Sequence, residues 1–420
     1  MTVRGAAFLG IGAMVGAGIF ALLGEAAVVA GSAVWLSFLL AGIVSALLGY
    51  TVVKLGVRYP SSGGLIAYLL EGFGNGRLVG IASWLGYFAA IVIVCSMVAV
   101  AFGSYATSLF VGDDAAGWWD NVFTSAIVLA MAAVNLVGSR VVDRAQSLIV
   151  VVLLAVFAVF IAVTLVDIDF ELLAFSGYPP FSDIVASVAL TFFAYLGFSV
   201  ITFAAGDLRD PARELPRAMY AALGVTTVLY VLISIGVFGT LTAEEAIGYG
   251  ETAIAEAARP ALGDAGFTMM AIAALLATSS SVNATLYASG GLTAMLAEVR
   301  QFPSFFGRSS PLGHHAGMLI TSAIVLVVSN LVDLSAIASV GSACSLLIFL
   351  LVGVAGYRRR ADTESLAVVV LAAIAATAVV LAFFAVDTLR NAPETFAAIV
   401  GIALLAVVLD AAWKHVRPAA

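Results

Sequence analysis

Gly10-Ile11-Gly12-Ala13-Met14-Val15-Gly16-Ala17-Gly18-Ile19-Phe20 occupies the middle of the first apolar segment of the chain. A plain membrane anchor would carry leucines where this stretch has glycines. Each glycine inside a helix costs about 0.5–1 kcal/mol relative to alanine, so the cluster marks either close helix contact or a helix that opens. A second weak point falls in the sixth apolar segment, at Thr191-Phe192-Phe193-Ala194-Tyr195-Leu196-Gly197-Phe198. That offset between the two openings predicts a transporter built from two inverted halves, each with a broken helix facing the other.

Composition sets the solvent. Of 420 residues, 63% are hydrophobic and 10% charged, and the mean hydropathy is +1.14. No water-soluble domain of this length hides so much apolar surface, so the chain is read as an all-α integral membrane protein. Ten-residue alternating patterns are absent, which argues against a β-barrel. The first apolar run follows one arginine and no small-residue cleavage signal, and is expected to be a retained helix. Cys95 and Cys344 lie inside apolar segments and read as free buried thiols. His314, His315 and His415 have no cysteine or carboxylate at ligand spacing, so a histidine metal site is not expected. Basic residues are scattered singly along loops, and no nucleic-acid patch forms.

Twelve transmembrane helices are expected, from 6–30 to 394–413, where a bilayer demands roughly 20 residues of each. The third (79–110) and eighth (264–299) exceed that length, which predicts tilt or extension into water. With a cytoplasmic N-terminus, only Arg259 and Arg390 of the 18 Lys and Arg residues fall outside. Both termini are therefore expected to be cytoplasmic, in a multi-pass protein of the cell (plasma) membrane. Pro60-Ser61-Ser62-Gly63-Gly64 followed by 65–76 reads as a short amphipathic helix along the inner face. Residues 242–260 form an external counterpart, opening with Thr242 as an N-cap and two acids. Between helices 6 and 7, Asp210-Pro211-Ala212-Arg213-Glu214-Leu215-Pro216-Arg217 is expected to break helix at both prolines.

These residues resemble the amino acid–polyamine–organocation (APC) superfamily of transporters. Gly12-Ala13-Met14-Val15-Gly16-Ala17-Gly18-Ile19-Phe20 resembles its first-helix signature, and Tyr59-Pro60-Ser61-Ser62-Gly63-Gly64 the segment after its second helix. Phe193-Ala194-Tyr195-Leu196-Gly197-Phe198, continuing to Ala218, resembles its sixth helix and following loop. Ser279-Ser280-Ser281-Val282-Asn283-Ala284-Thr285 resembles its eighth, and Gly138-Ser139-Arg140 and Arg144-Ala145 match too. Motif order and spacing over helices 1 to 10 make the likeness specific, above all to the prokaryotic ApcT-type amino acid transporters. The resemblance implies the LeuT-like 5+5 inverted repeat with discontinuous helices 1 and 6. Residues 1–166 would be the first repeat, 167–360 the second, and 361–420 two peripheral helices. It also implies a small-molecule amino acid held between the two breaks, a lipid bilayer as surroundings, and a monomer or weak homo-oligomer.

The residues give that site its chemistry. Gly16, Ala17, Gly18 and Ile19, with Ala13 before them, would offer bare N–H groups and a helix N-terminus to a carboxylate. Gly12 and Gly16 equally spell a small-xxx-small packing contact. Phe193, Ala194, Tyr195, Leu196 and Gly197 would leave carbonyls for an α-ammonium, and the rings of Phe193, Tyr195 and Phe198 could cover the ligand. Helices 3, 6, 8 and 10 carry no mid-depth acid, and Ser199 stands where one could have served a cationic substrate. A neutral, apolar amino acid is favoured, with Tyr87, Phe88 and Asn283 as candidate pocket wall.

No cofactor is expected beyond a coupling ion, Na⁺ or H⁺. Proton-coupled members of the resembled group carry a helix 5 lysine where this chain has Leu153, with Val152 the one-residue alternative. Ser279 and Ser280, with carbonyls near Gly12 and Ala13, form a candidate Na⁺ site, although membrane serines often bond back to their own helix. Glu25 falls near the outer surface as a wet vestibule residue or a proton relay. Asp207 is placed to pair with Arg209 or Arg4 at an inner gate.

An enzyme would need an intramembrane nucleophile–base pair or metal cluster, and the chain has none at mid-depth. A non-transporting sensor or scaffold on the same fold remains an alternative, as does a transporter of cationic amino acids or polyamines. Leu153→Lys is expected to confer acid-dependent uptake; liposome flux at two pH values checks it.

Overall fold

The computed structural model describes residues 2–61, 64–112, 116–137, 142–166, 168–308 and 316–416, though not the side chains at 17, 137, 142–147, 203–204, 206–207 and 416. Ser62, Gly63, the Gly138-Ser139-Arg140 match, His314 and His315 lie outside these residues. So do the side chains of Ala17, Arg144 and Asp207. Among the described residues every regular element is helical. That is what hydrocarbon imposes, because a helix satisfies its backbone polar groups within one segment.

The first apolar run is two helices, α1 (Val3–Ala17) and α2 (Ile19–Ala30), separated at Gly18 (φ −105°, ψ −74°). Thr2 caps α1 by accepting the Gly5 N–H, while no side chain caps α2. A turn at Gly31 with φ +54° leads into α3 (Val34–Arg58). The short helix expected after Pro60 is α4 (Gly64–Phe73). The long third run is α5 (Arg77–Tyr87) and α6 (Val94–Phe110), joined by a π-helical turn at Phe88–Ile93. Then come α7 (Trp118–Val137) and α8 (Val142–Val166).

The sixth run is also divided. α9 (Phe181–Phe193) gives way to a 3-10 helix over Leu196–Asp207, with a bend of 40° between them. Next is α10 (Pro211–Phe238), which corrects one expectation. Pro211 opens the helix, but Pro216 lies inside it. Its missing N–H forfeits a single backbone bond close to the helix start, too little to end 28 residues of helix. Glu214 supports that start by accepting the N–H groups of Arg209 (3.0 Å) and Asp210 (3.4 Å).

The remaining elements are α11 (Ala243–Tyr249), α12 (Ala253–Glu256), α13 (Arg259–Glu298), α14 (Ala316–Leu331), α15 (Leu334–Arg358), α16 (Ala367–Asn391) and α17 (Pro393–Val416). α13 is interrupted near its start at Gly263 (φ +61°), just before the stretch expected as the long eighth helix, which runs on to Glu298. Nine described helical runs are long and apolar enough to cross a membrane, ten if the bent pair counts as one; α1, α4 and α14 are shorter apolar helices. The interior is dense and aromatic. Phe20 of α2 stacks on Phe157 of α8 at 5.5 Å and meets Tyr105 of α6 edge-on at 5.7 Å. Valines and leucines such as Val327, Val368 and Val408 face outward, as lipid allows.

The connection from α10 to α13 opens with the N-cap expected at Thr242, which exchanges bonds with Glu245 in both directions as a capping box. Those bonds, the one from the Thr242 backbone first, hold the Glu245 carboxyl below its ordinary value. Further on, the Gly250 backbone lies against Gly24 of α2. Burial pushes the neighbouring Glu251 carboxyl above its ordinary 4.5, and the charges of Glu25 and Asp120 add to the rise. The fold therefore favours protonated Glu251. Its contribution to stability is complete below pH 4.5 and is lost as pH rises through the raised value. Glu251→Gln is expected to flatten the fall in melting temperature above that pH, measured by thermal unfolding in detergent across a pH series.

Candidate functional site

The two interruptions touch each other. A β-carbon built on Gly18 would come within 2.6 Å of the Tyr230 hydroxyl and 2.7 Å of both the Cβ and the carbonyl oxygen of Ala194. One built on Gly197 would strike the backbone of Ala13 and Met14. Glycine is needed at both positions because backbone stands where a side chain would go. Gly16 makes the packing contact its spacing allowed, but to α13: its Cβ would lie 2.8 Å from the Ala277 carbonyl oxygen and 3.1 Å from Ser281 Cβ. Gly10 faces Ile201 of the 3-10 helix.

At the sixth-run break the hydrogen bonds shorten to the i→i−3 pattern. Ala194 N–H donates to Thr191 O (3.1 Å), Tyr195 N–H to Phe192 O (2.9 Å) and Phe198 N–H to Tyr195 O (2.9 Å). Phe198's amide is thus turned away from the Ala194 carbonyl, which it would serve in an α-helix. α1 ends at Ala17, so the Met14 carbonyl likewise belongs to a last turn, where the regular bonding stops before α2 begins. Both carbonyls face one side chain: Tyr230 of α10 donates to Met14 O at 2.7 Å and reaches Ala194 O at 3.3 Å.

The candidate side chains distribute around this crossing. Ile19, Phe193, Ala194 and Tyr195 are buried; Ala13, Leu196, Gly197 and Ser199 are half-buried. The three rings do not gather. Phe193 lies over Gly341 of α15 beside Ile93 of the π-turn. Tyr195 donates to the Phe38 carbonyl on α3 (3.0 Å) and packs edge-on against Tyr230 at 5.1 Å. Phe198 packs on Phe349 of α15. Ser199 donates to Leu196 O (2.9 Å). Hydroxyls tie α9 to α3: Ser37 bonds Ser187, and Thr191 donates to Ser37 O at 3.0 Å.

Two groups point elsewhere. Asn283 accepts from Asn135 of α7 at 2.8 Å and stands roughly 200° around α13 from Ser281, so it joins helices away from the crossing. Ser279 donates back to Leu275 O at 2.6 Å and is turned from Ser281 by the same angle. Ser280 is half-buried and Gly12 buried; the α13 groups that face Gly16 are Ala277 and Ser281. Tyr87 shares a hydrogen bond with Thr321 of α14 at 2.8 Å. Leu153 is buried while Val152 is 39% exposed, which singles out Leu153 as the inward position on α8. Glu25 lines a cavity of about 340 Å³ together with Asp183 and Asp387. Tyr230 and the π-turn escaped the sequence reading, because a lone tyrosine in an apolar helix and one extra residue in a helical turn leave no pattern.

Comparison with known proteins matches residues 2–407 to the amino acid permease family. The chain is 32% identical over 376 residues to the inner membrane transport protein YbaT of Escherichia coli, covering 89% of this chain and 87% of that protein. It is 29% identical to a methylthioribose transporter of Bacillus subtilis, over 72% of this chain and 68% of the relative. The serine/threonine exchanger SteT of the same organism is 27% identical, with 70% and 67% covered.

Gly18→Leu and Gly197→Leu set a side chain against backbone that cannot yield, at a cost of about 1–3 kcal/mol or more each. Gly18→Leu therefore disturbs packing as well as any ligand. Both are expected to lower the melting temperature by several degrees on the order of that cost. Gly224→Leu, with nothing within 4 Å of its Cβ, is expected to leave it unchanged.

Proposed function

We propose that this chain, which belongs to the amino acid permease family of the APC superfamily and is a membrane transporter rather than an enzyme, moves a neutral, apolar amino acid by alternating access. The meeting of the two interrupted helices carries this reading: Gly18 against Ala194, and Gly197 against Met14. The Met14 and Ala194 carbonyls there lack the amide that a continued α-helix would bring them, and a zwitterion supplies one acceptor group and one donor group to such backbone. The carboxylate would lie at the start of α2, by Gly18 and Ile19, with the ammonium by the carbonyls of the sixth-run break.

Neutrality is favoured by the side chains around the crossing. Ala13, Ala194, Tyr230, Ala277 and Ser281 include no acid to balance a lysine or arginine substrate. The relative named as a serine/threonine exchanger also handles neutral amino acids. The architecture we assign is the twelve-helix 5+5 inverted repeat, 1–166 and 167–360, with 361–420 peripheral. Both termini are assigned to the cytoplasm, and the protein to the plasma membrane, as a monomer or weak homo-oligomer. A proton reading loses its fixed cation at Leu153, and the oxygens available to Na⁺ on α13 face α1 through Ala277 and Ser281. Exchange of one amino acid for another needs neither.

Purified protein in liposomes tests the substrate and its coupling. Labelled leucine and alanine are expected to accumulate or exchange, and labelled lysine is not. Arms with a Na⁺ gradient, a pH gradient or internal amino acid assign the coupling. Lysine uptake would overturn the neutral reading, and binding without flux would favour a sensor.

A further inference from the structure

Tyr230 stands where the two broken spans come together, yet it belongs to neither. Its side chain is fully buried, with its ring wedged between Phe38 at 5.2 Å and Tyr195 at 5.1 Å. Its hydroxyl faces two main-chain carbonyls, Met14 O from the first break at 2.7 Å and Ala194 O from the second at 3.3 Å. A phenol has one hydrogen to donate. It serves the nearer carbonyl well and the farther one poorly, so two acceptors compete for one donor in a place shut off from water. An unsatisfied carbonyl there is costly.

An α-ammonium carries three N–H donors and a full positive charge. It satisfies both carbonyls at once, with charge-assisted bonds stronger than those of a neutral phenol. Resting on the amino acid transport reading above, we propose that the Tyr230 hydroxyl is the resident stand-in for the substrate's ammonium. It closes the two breaks on each other in the empty carrier, yields the Met14 and Ala194 carbonyls to the arriving amine, and takes them back on release. Tyr230 is then a positioning residue that makes the carrier require an amine. A molecule bearing only a carboxylate cannot replace the donor that it displaces.

Tyr230→Phe keeps the ring and removes the competitor. Leucine and alanine are compared with their des-amino counterparts, 4-methylpentanoate and propanoate, by binding and by liposome flux. The variant is expected to bind leucine and alanine about three- to tenfold more tightly, the worth of one competing neutral hydrogen bond. Affinity for the des-amino acids is expected to stay as in the wild type. Maximal flux is expected to fall while KM also falls, since no donor refills the carbonyls after release. Equal changes for amines and des-amino acids, or weaker binding of the amines, overturn the proposal while transport by the wild type stands. If the wild type binds no amino acid, the functional reading fails, and this one with it. Should Tyr230→Phe not fold, Tyr230→3-fluorotyrosine gives the readout in its place. Its fluorine resonance is expected to move on adding leucine and not on adding 4-methylpentanoate; no movement with leucine overturns the proposal.

Discussion

Unpaired backbone in hydrocarbon is the constraint from which the rest of the molecule follows. Each main-chain group without a partner there costs several kcal/mol, so a helix can be interrupted only where something else answers the freed groups. Here the answer is mutual. The first run stops at Gly18 and the sixth changes at Ala194, and the two places lie in contact. Glycines at 18 and 197 let backbone approach backbone, and one phenol hydroxyl spans the carbonyls that are left.

The surrounding helices hold that crossing in place. α3 grips α9 through Ser37, Ser187 and Thr191 and takes the Tyr195 hydroxyl on the Phe38 carbonyl. α10 delivers Tyr230, α13 receives Gly16 against Ala277, and α15 carries the rings of Phe192 and Phe198 on Phe349. These contacts join continuous helices to interrupted ones. Such an arrangement suits a scaffold around two elements with weak internal bonding, and weak elements are the ones that move.

Polar side chains elsewhere in the interior mostly look after their own helices. Ser279, Thr278 and Thr321 donate to carbonyls one turn back, and Asn283 is matched to Asn135. A hydroxyl or amide in an apolar run is therefore weak evidence for a ligand site. The groups that distinguish the crossing are main-chain atoms, which any residue possesses.

Membrane residence, the helical class and the two weak points could all be read directly from residue order. Hydropathy and glycine placement act locally, and no alternative solvent or sheet satisfies so apolar a chain. The N-cap at Thr242 and the helix after Pro60 were legible for the same local reason. Tertiary structure decided the rest. Which helix Gly16 meets, which side of α13 carries Ser281 rather than Ser279 or Asn283, and that Leu153 rather than Val152 faces inward all depend on how each helix is rotated. A run apolar on every face leaves that rotation unspecified. Tyr230 shows the same limit most clearly: its role comes from two carbonyls far away in sequence, and only packing brings them to one hydroxyl.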